Sequence, residues 1–543
     1  MATAEVVVAS KTLADHLPVL QVVVPLVTSP LIVLIGVRAL AWPLAFIASI
    51  IAFVISCLLL HQVIDGGFIS YAIGGWAPPL GIEYRVDATN ALLLFLISGI
   101  SVIGLPYALT SIRFEIGAKN ETLFYACYLL CFTGLLGVVI TGDAFNIFVF
   151  LEISSLSTYV LVAQGAVRDK RALTAAYDYL IMGTIGATFF VIGIGMLYMS
   201  TGTLNLADIA DRIADQGSNR TIRAAFAFIV VGMGLKVALV PLHLWLPNAY
   251  TFAPSAVTVF LAATSTKAAV YVLLRFMFSV YHPSFIFEVN TLYFIFIPFA
   301  LLAMFAASFV AIFQSDFKRM LAYSSIAQIG YMLMGIAMLN AAGLTSTIVH
   351  MFNHGITKAL LFMGVGAFVL KVGSSFYDSI HGLGRRMPIT GACIIIGGLS
   401  LIGVPGTAGF ISKWMLMQAA FENGFWWIAV LVVLSSLLAA AYVWRALDVI
   451  YLEEPLDNSV TRDPPLTMLI PMIILAVACV WFGINTSISI GAASTAAESL
   501  LNGSFGMMPA EIPAEVPTEI PGPAIEAAPE PETAPIPAPS ESQ

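Results

Sequence analysis

Apolar and polar stretches alternate along the chain in fourteen hydrophobic runs, separated by short polar, Pro- or Gly-bearing segments. In the first half these cover residues 18–37, 42–62, 88–106, 122–141, 143–164, 174–199 and 222–246. In the second half they cover 255–275, 290–313, 320–339, 343–371, 387–422, 426–445 and 465–491. A run of roughly 20 apolar residues crosses the hydrocarbon core of a bilayer as helix. The pattern predicts an all-α polytopic membrane protein with about fourteen transmembrane helices. One polar segment, 203–220 (TLNLADIADRIADQGSNR), keeps a helical period while carrying charge, and reads as a short helix at the membrane surface.

Two of the runs contain helix breakers. Pro241 and Pro247 fall in GMGLKVALVPLHLWLPNAY, and Pro405 and Gly406 in GVPGTAGFISKWMLM. Proline removes a backbone donor and clashes with the preceding turn, so both runs are expected to be broken helices. Irregular backbone at membrane depth is tolerated only against protein or a water-filled cavity. One broken helix in each half, each beside a lysine, is the pattern of a transporter built from inverted repeats.

Composition agrees and excludes other classes. Of 543 residues 59% are hydrophobic and 10% charged, with mean hydropathy +0.95, far from the composition of a soluble enzyme. The net charge of −8 and the absence of a basic tract argue against nucleic acid as a partner. Residues 509–543, with ten Pro, seven Glu and no base, supply most of that charge. They are expected to form an extended, solvated tail. The five cysteines (Cys57, Cys127, Cys131, Cys393 and Cys479) lie in apolar runs and read as small buried hydrophobes. No nucleotide-binding glycine motif or dense His/Cys group is present, so no cofactor and no metal are expected. The N-terminus, with Glu5, Lys11 and Asp15 ahead of the first run, does not read as a cleaved signal peptide.

Basic residues give orientation and chemistry together. Thirteen Lys and Arg fall in odd-numbered loops and six in the N-terminus and even-numbered loops. The odd loops are therefore expected in the cytoplasm, with both termini outside. The remaining four, Lys236, Lys267, Lys358 and Lys413, lie inside predicted spans. A charge at the bilayer centre costs roughly 2.5–3.5 kcal/mol on insertion scales, so such residues default to ion or proton pathways. Snorkelling toward a helix end fits Lys358 better than the other three. Glu152 lies mid-span without a basic neighbour in sequence and needs a distant lysine, for which Lys236 is the candidate. Asp178 lies near a helix start, where it either enters the membrane or faces Arg171. His350, His354 and Lys358, at i, i+4 and i+8, form one stripe on one helix face. No Glu follows the first histidine as H-E-x-x-H requires, so the pair suits a proton relay better than a metal, with ordinary packing and hydrogen bonding as the alternative.

In order along the chain, GDAFNIFVFLE, GLKVALVPLHLWLPNAYTFAPS, TKAAVYVLLR, HGITKALLF and GFISKW resemble the antiporter-like membrane subunits shared by respiratory complex I, membrane-bound hydrogenases and Mrp-type cation/proton antiporters. The resemblance covers roughly residues 85–450. It implies fourteen helices with two inverted five-helix repeats: three spans in 1–121, repeats in 122–275 and 276–450, and a last span in 451–508. It implies Glu152 and Lys236 as a charge pair, Lys267 as central relay, His350 and His354 as the connecting stretch and Lys413 as the distal site; no role carries over to Asp178. The first motif is similar to the D-type subunit of Mrp antiporters, and Lys413 departs from the complex I subunit type that has glutamate there. The function implied is proton translocation in a multi-subunit Na⁺(K⁺)/H⁺ antiporter, with other membrane subunits as partners, in a bacterial-type inner membrane. The alternative is a proton-pumping subunit of an NADH:quinone oxidoreductase or membrane-bound hydrogenase. On either reading the chain is not an enzyme by itself.

Overall fold

A computed structural model describes residues 13–64, 67–282, 286–454 and 462–501. The residues before Leu13 and the Pro/Glu-rich tail lie outside the described residues. The first half contains α1 (Leu17–Ile35), α2 (Arg38–Val63), α3 (Ala88–Glu115), α4 (Glu121–Ile140), α5 (Ala144–Ala163), α6 (Arg171–Thr201), α7 (Leu206–Gln216), α8 (Arg220–Val237), α9 (Trp245–Phe252) and α10 (Ser255–Leu274). The second half contains α11 (Ile286–Thr291), α12 (Ile297–Ile312), α13 (Phe317–Ala337), α14 (Ala341–Val372), α15 (Leu383–Arg386), α16 (Pro388–Ile402), α17 (Ala408–Glu422), α18 (Trp426–Tyr451), α19 (Leu466–Ile484) and α20 (Ser487–Leu501). Among the described residues, twelve helical segments are individually long and apolar enough to cross a membrane.

Short polar side chains start many of these helices by accepting from their first free backbone N–H groups. Asp87 caps α3, Asp143 caps α5, Asn219 caps α8, Asp316 caps α13 and Asn340 caps α14. The polar segment after α6 forms α7 as expected, capped by Asn205 and burying Leu206, Ile209 and Ile213 on one face.

The two runs with breakers are interrupted. Between α8 and α9, Ala238 turns left-handed at φ 64° and Pro241 follows in the gap. Trp245 Nε1 bridges the break by donating to Leu235 O at 3.0 Å. Between α16 and α17, Gly403 (φ 91°) and Gly406 (φ 85°) flank Pro405. The halves meet at Gly409, where a Cβ would fall 1.8 Å from Ser400 O, so only glycine fits there. Pro247 differs from expectation: it lies in the first turn of α9, where its missing N–H would have had no helical partner.

Two further elements depart from the sequence reading. A two-stranded antiparallel hairpin, β1 (Ile69–Ala72) with β2 (Glu83–Val86), lies between α2 and α3, so the fold is not wholly α. The last apolar run ends at Ile484, and α20 follows as a separate helix packed on α3 and α14.

The interior is made by α10 and α13, almost wholly buried, together with α4 and α14. These helices are apolar on nearly every side, as helices enclosed by other helices must be. They also carry Lys267, Lys318, His350, His354 and Lys358, all buried.

Candidate functional site

Glu152 and Ser155 lie one turn apart on α5 and face the end of α8. Lys236, one residue from the end of α8, places Nζ 3.6 Å from Glu152 Oε1 and donates to Ser155 Oγ at 2.7 Å. The 3.6 Å approach is an ion contact without a hydrogen bond, and Glu152 Oε1 has no hydrogen-bond partner among the described residues. The pair is asymmetric: the lysine side chain is 6% exposed and the glutamate 25%. The ammonium is thus enclosed, whereas the glutamate side chain keeps a quarter of its surface exposed although its Oε1 is buried.

Lys267, on α10, is fully enclosed. Its Nζ reaches back to Ala262 O of its own helix and lies 3.5 Å from Thr266 Oγ1. Among the described residues no carboxylate forms an ion pair with it. Against α10 runs α14, drawn close at Gly355, where a Cβ would come 3.0 Å from Ala263 O. The neighbouring residue is His354.

The α14 stripe forms as the spacing predicts. The His350 and His354 rings lie parallel within 4°, centroids 5.8 Å apart. Ser412 Oγ shares a hydrogen bond of 2.7 Å with His350 Nδ1; His350 Nε2 and both nitrogens of His354 have no partner among the described residues. Lys358 does not snorkel. It is fully buried in the middle of α14, donating to Leu321 O at 2.7 Å and Ser324 Oγ at 2.5 Å on α13. Reaching water from a helix enclosed on all sides is geometrically closed to it.

Lys413, on α17, turns back to the break and donates to the last carbonyls of α16, Leu401 O (3.1 Å) and Ile402 O (2.8 Å), and to Ser436 Oγ (3.2 Å). A cation at a helix C-terminus meets the negative end of its dipole. Its Nζ lies 4.6 Å from the Tyr331 ring centroid, and that ring is 5.8 Å from His350. Tyr331 therefore stands between Lys413 and the histidines.

Several polar groups escaped the sequence reading. Asp87 pairs with Arg275 in the interior, although Arg275, the last residue of the run 255–275, counts on sequence among the six basic residues of the N-terminus and even-numbered loops; its spacing of eight from Lys267 was the available signal. Glu115 accepts from Ser255 N through both oxygens (3.1 and 3.0 Å), and buried Lys318 donates to Ala253 O at 3.2 Å. An open cavity of about 140 Å³ beside them includes Arg168, Asp169 and Asp316 in its lining. Arg171 pairs with Asp169 rather than Asp178, and holds that carboxyl below its usual range.

A profile described as NADH:quinone oxidoreductase/Mrp antiporter, TM, matches residues 141–439, which include Glu152, the four buried lysines and both histidines. The chain belongs to this membrane family. Among the family's members, the N-type subunit of the NADH-quinone oxidoreductase of Desulforudis audaxviator is 36% identical over 86% of this chain and 96% of that protein. The D-type subunit of the Na(+)/H(+) antiporter of Bacillus subtilis is 28% identical over 90% of this chain and 98% of that protein. The fold is shared with a chain of the Mrp complex from Dietzia sp., with TM-score 0.83 and 24% identity over 91% of this chain and 99% of that one. As a family member of this fold, the chain is an integral membrane protein.

Proposed function

We propose that this chain is the proton-translocating membrane subunit of a multi-subunit monovalent cation/proton antiporter. The observation that carries the reading is the buried set itself: Glu152 with Lys236 at 3.6 Å, unpaired Lys267, the stacked His350 and His354, and Lys413 on the second break. Groups of this kind, enclosed and separated by helix contacts, suit stepwise hand-over of a proton. When a proton reaches Lys236, attraction to Glu152 holds it; release toward Lys267 leaves the carboxylate unneutralised and draws the next proton in. The histidines, with free ring nitrogens, are suited to pass charge to Lys413. Lys358, on the same stripe, supports a positive potential along the way. The breaks at Pro241 and at Pro405–Gly406 free carbonyls at membrane depth, which is where transporters of inverted-repeat design hold ions.

Other membrane subunits are the natural partners. Glu152 keeps a quarter of its side chain uncovered, a surface a neighbouring subunit would enclose. Lys236→Ala in the assembled complex is expected to abolish cation-dependent proton exchange in everted membrane vesicles while the subunits still copurify; retained exchange refutes the pathway.

A second reading has its own support: the 36% identity to an N-type subunit of a NADH-quinone oxidoreductase favours a redox-driven proton pump. Small antiporter-type subunits copurifying with the chain select the first reading; quinone-reductase or hydrogenase subunits select the second.

The thirteen-to-six bias of basic residues supports both termini outside the cytoplasm of a bacterial-type inner membrane. A cysteine placed at Lys170 is then expected to react with an impermeant reagent in everted vesicles and not in intact cells. The opposite labelling reverses the orientation.

A further inference from the structure

Beyond Lys267, the same face of α10 carries Tyr271 at i+4, and Arg275 at i+8 opens the turn that continues it. All three are buried. Arg275 Nε donates to Tyr271 Oη at 2.9 Å, and its Nη2 pairs with Asp87 Oδ2. Asp87 is itself fixed: its Oδ1 accepts from Thr89 N at 2.9 Å and Asn90 N at 3.2 Å at the start of α3. At Arg275–Val280 the helix widens into a π-helical turn, a feature frequent at functional sites. Asp87 directly follows β2, which is buried along its length, with Glu83 accepting from Asn205 Nδ2 at 2.8 Å and from Ser70 Oγ at 2.5 Å.

A polar line thus runs from Lys267 toward the surface formed by the even-numbered loops, and it ends in a guanidinium. The order of groups matters. Side chains of a helix tilt toward its N-terminus, and Lys267 Nζ accordingly reaches back to Ala262 O, away from Arg275. The positive member of the pair follows Lys267 two turns on along the same helical path, and the carboxylate is held on the start of α3. Arginine does not give up its proton in proteins, so it cannot serve as a relay. A fixed guanidinium in a pathway is a barrier to protons and cations.

We propose that the Arg275–Asp87 pair is an electrostatic seal. It closes the even-loop end of α10, so that a proton on Lys267 cannot escape there and charge continues to His354. The inference rests on the relay reading above. Asp87 is the positioning residue; Arg275 is the barrier.

The test is the decay of an imposed pH gradient in everted vesicles carrying the assembled complex, with choline as the only cation. Arg275→Gln with Asp87→Asn removes the charges and keeps the shapes. About 12 Å of helix axis separates residues eight apart. At that distance and an effective dielectric of about 20, one unit charge shifts a proton's distribution about tenfold, which is the expected rise in leak for Arg275→Gln alone; in the neutral pair the lost carboxylate offsets part of this, so a smaller rise is expected. Asp87→Asn alone keeps the guanidinium and is expected to stay tight. Adding Lys267→Ala to the neutral pair is expected to return the leak to the wild-type rate. A neutral pair that stays tight overturns the seal, as does a leak that persists without Lys267. In the tight case, loss of exchange in Lys267→Ala alone leaves the relay standing; retained exchange removes both. If the neutral pair fails to assemble, Arg275→Gln alone carries the same test, because Asp87 keeps its bonds to Thr89 and Asn90.

Discussion

Lys267→Ala is expected to reduce proton-coupled exchange at least about a hundredfold, the scale on which a positioned proton-transfer group contributes. The complex should still assemble. Lys267 donates to one carbonyl of its own helix and pairs with no carboxylate among the described residues, so removing it strands no buried opposite charge. A buried ammonium held this way costs desolvation energy and returns little of it in contacts, which makes a purely structural role poor value. Lys267→Arg separates the alternatives further. If the site needed only a positive charge, arginine would preserve exchange. If it needs a group that takes and releases a proton, arginine fails, because guanidinium stays protonated. Exchange and copurification measured on both variants decide it: activity in the arginine variant would make Lys267 a fixed charge and shift the relay elsewhere.

His354→Leu is expected to split transport from stability. Both ring nitrogens lie in the interior without a hydrogen-bond partner among the described residues. Replacing an unpaired buried polar group by an apolar one of similar size forfeits no protein hydrogen bond and is close to neutral or stabilising. Thermal stability of the purified complex should therefore hold or rise, while exchange falls about a hundredfold as for loss of a proton-transfer group. His350 gives the contrast. It shares a hydrogen bond with Ser412 Oγ at 2.7 Å, so His350→Leu forfeits that bond and leaves the hydroxyl only its longer one to Gly409 O, and is expected to lower stability as well as exchange. Equal stability losses in the two variants would show that both rings serve packing. Unchanged exchange in His354→Leu would remove the histidines from the route.

Much of this site is legible before any fold is known. Charge is rare and costly at membrane depth, so Lys236, Lys267, Lys413 and Glu152 stand out against the apolar runs around them. The helical repeat of 3.6 residues puts His350, His354 and Lys358 on one face without further information. Proline and glycine chemistry marks both interrupted runs, though the first break falls at Ala238–Leu244 and leaves Pro247 inside α9.

Burial and partnership were not legible. Snorkelling fits Lys358 better than the other three lysines on sequence alone, because sequence shows how far a lysine is from a helix end, and not whether that end is enclosed. Arg275 counts on sequence with the even-numbered loops because an apolar run stops at it; in the fold the helix continues as a π turn and buries the guanidinium against Asp87. The hairpin β1–β2 is too short and too weakly patterned to register among long apolar runs, yet its second strand leads directly into Asp87. Sequence by itself determined which segments enter the membrane and which residues are expensive there, since both follow from transfer free energy counted along one chain. Tertiary structure alone decided which costly groups meet. α10, α13 and α14 are apolar on nearly every side, so no single face tells them where to turn; close approaches such as Gly355 against Ala263 fix which side chains face each other.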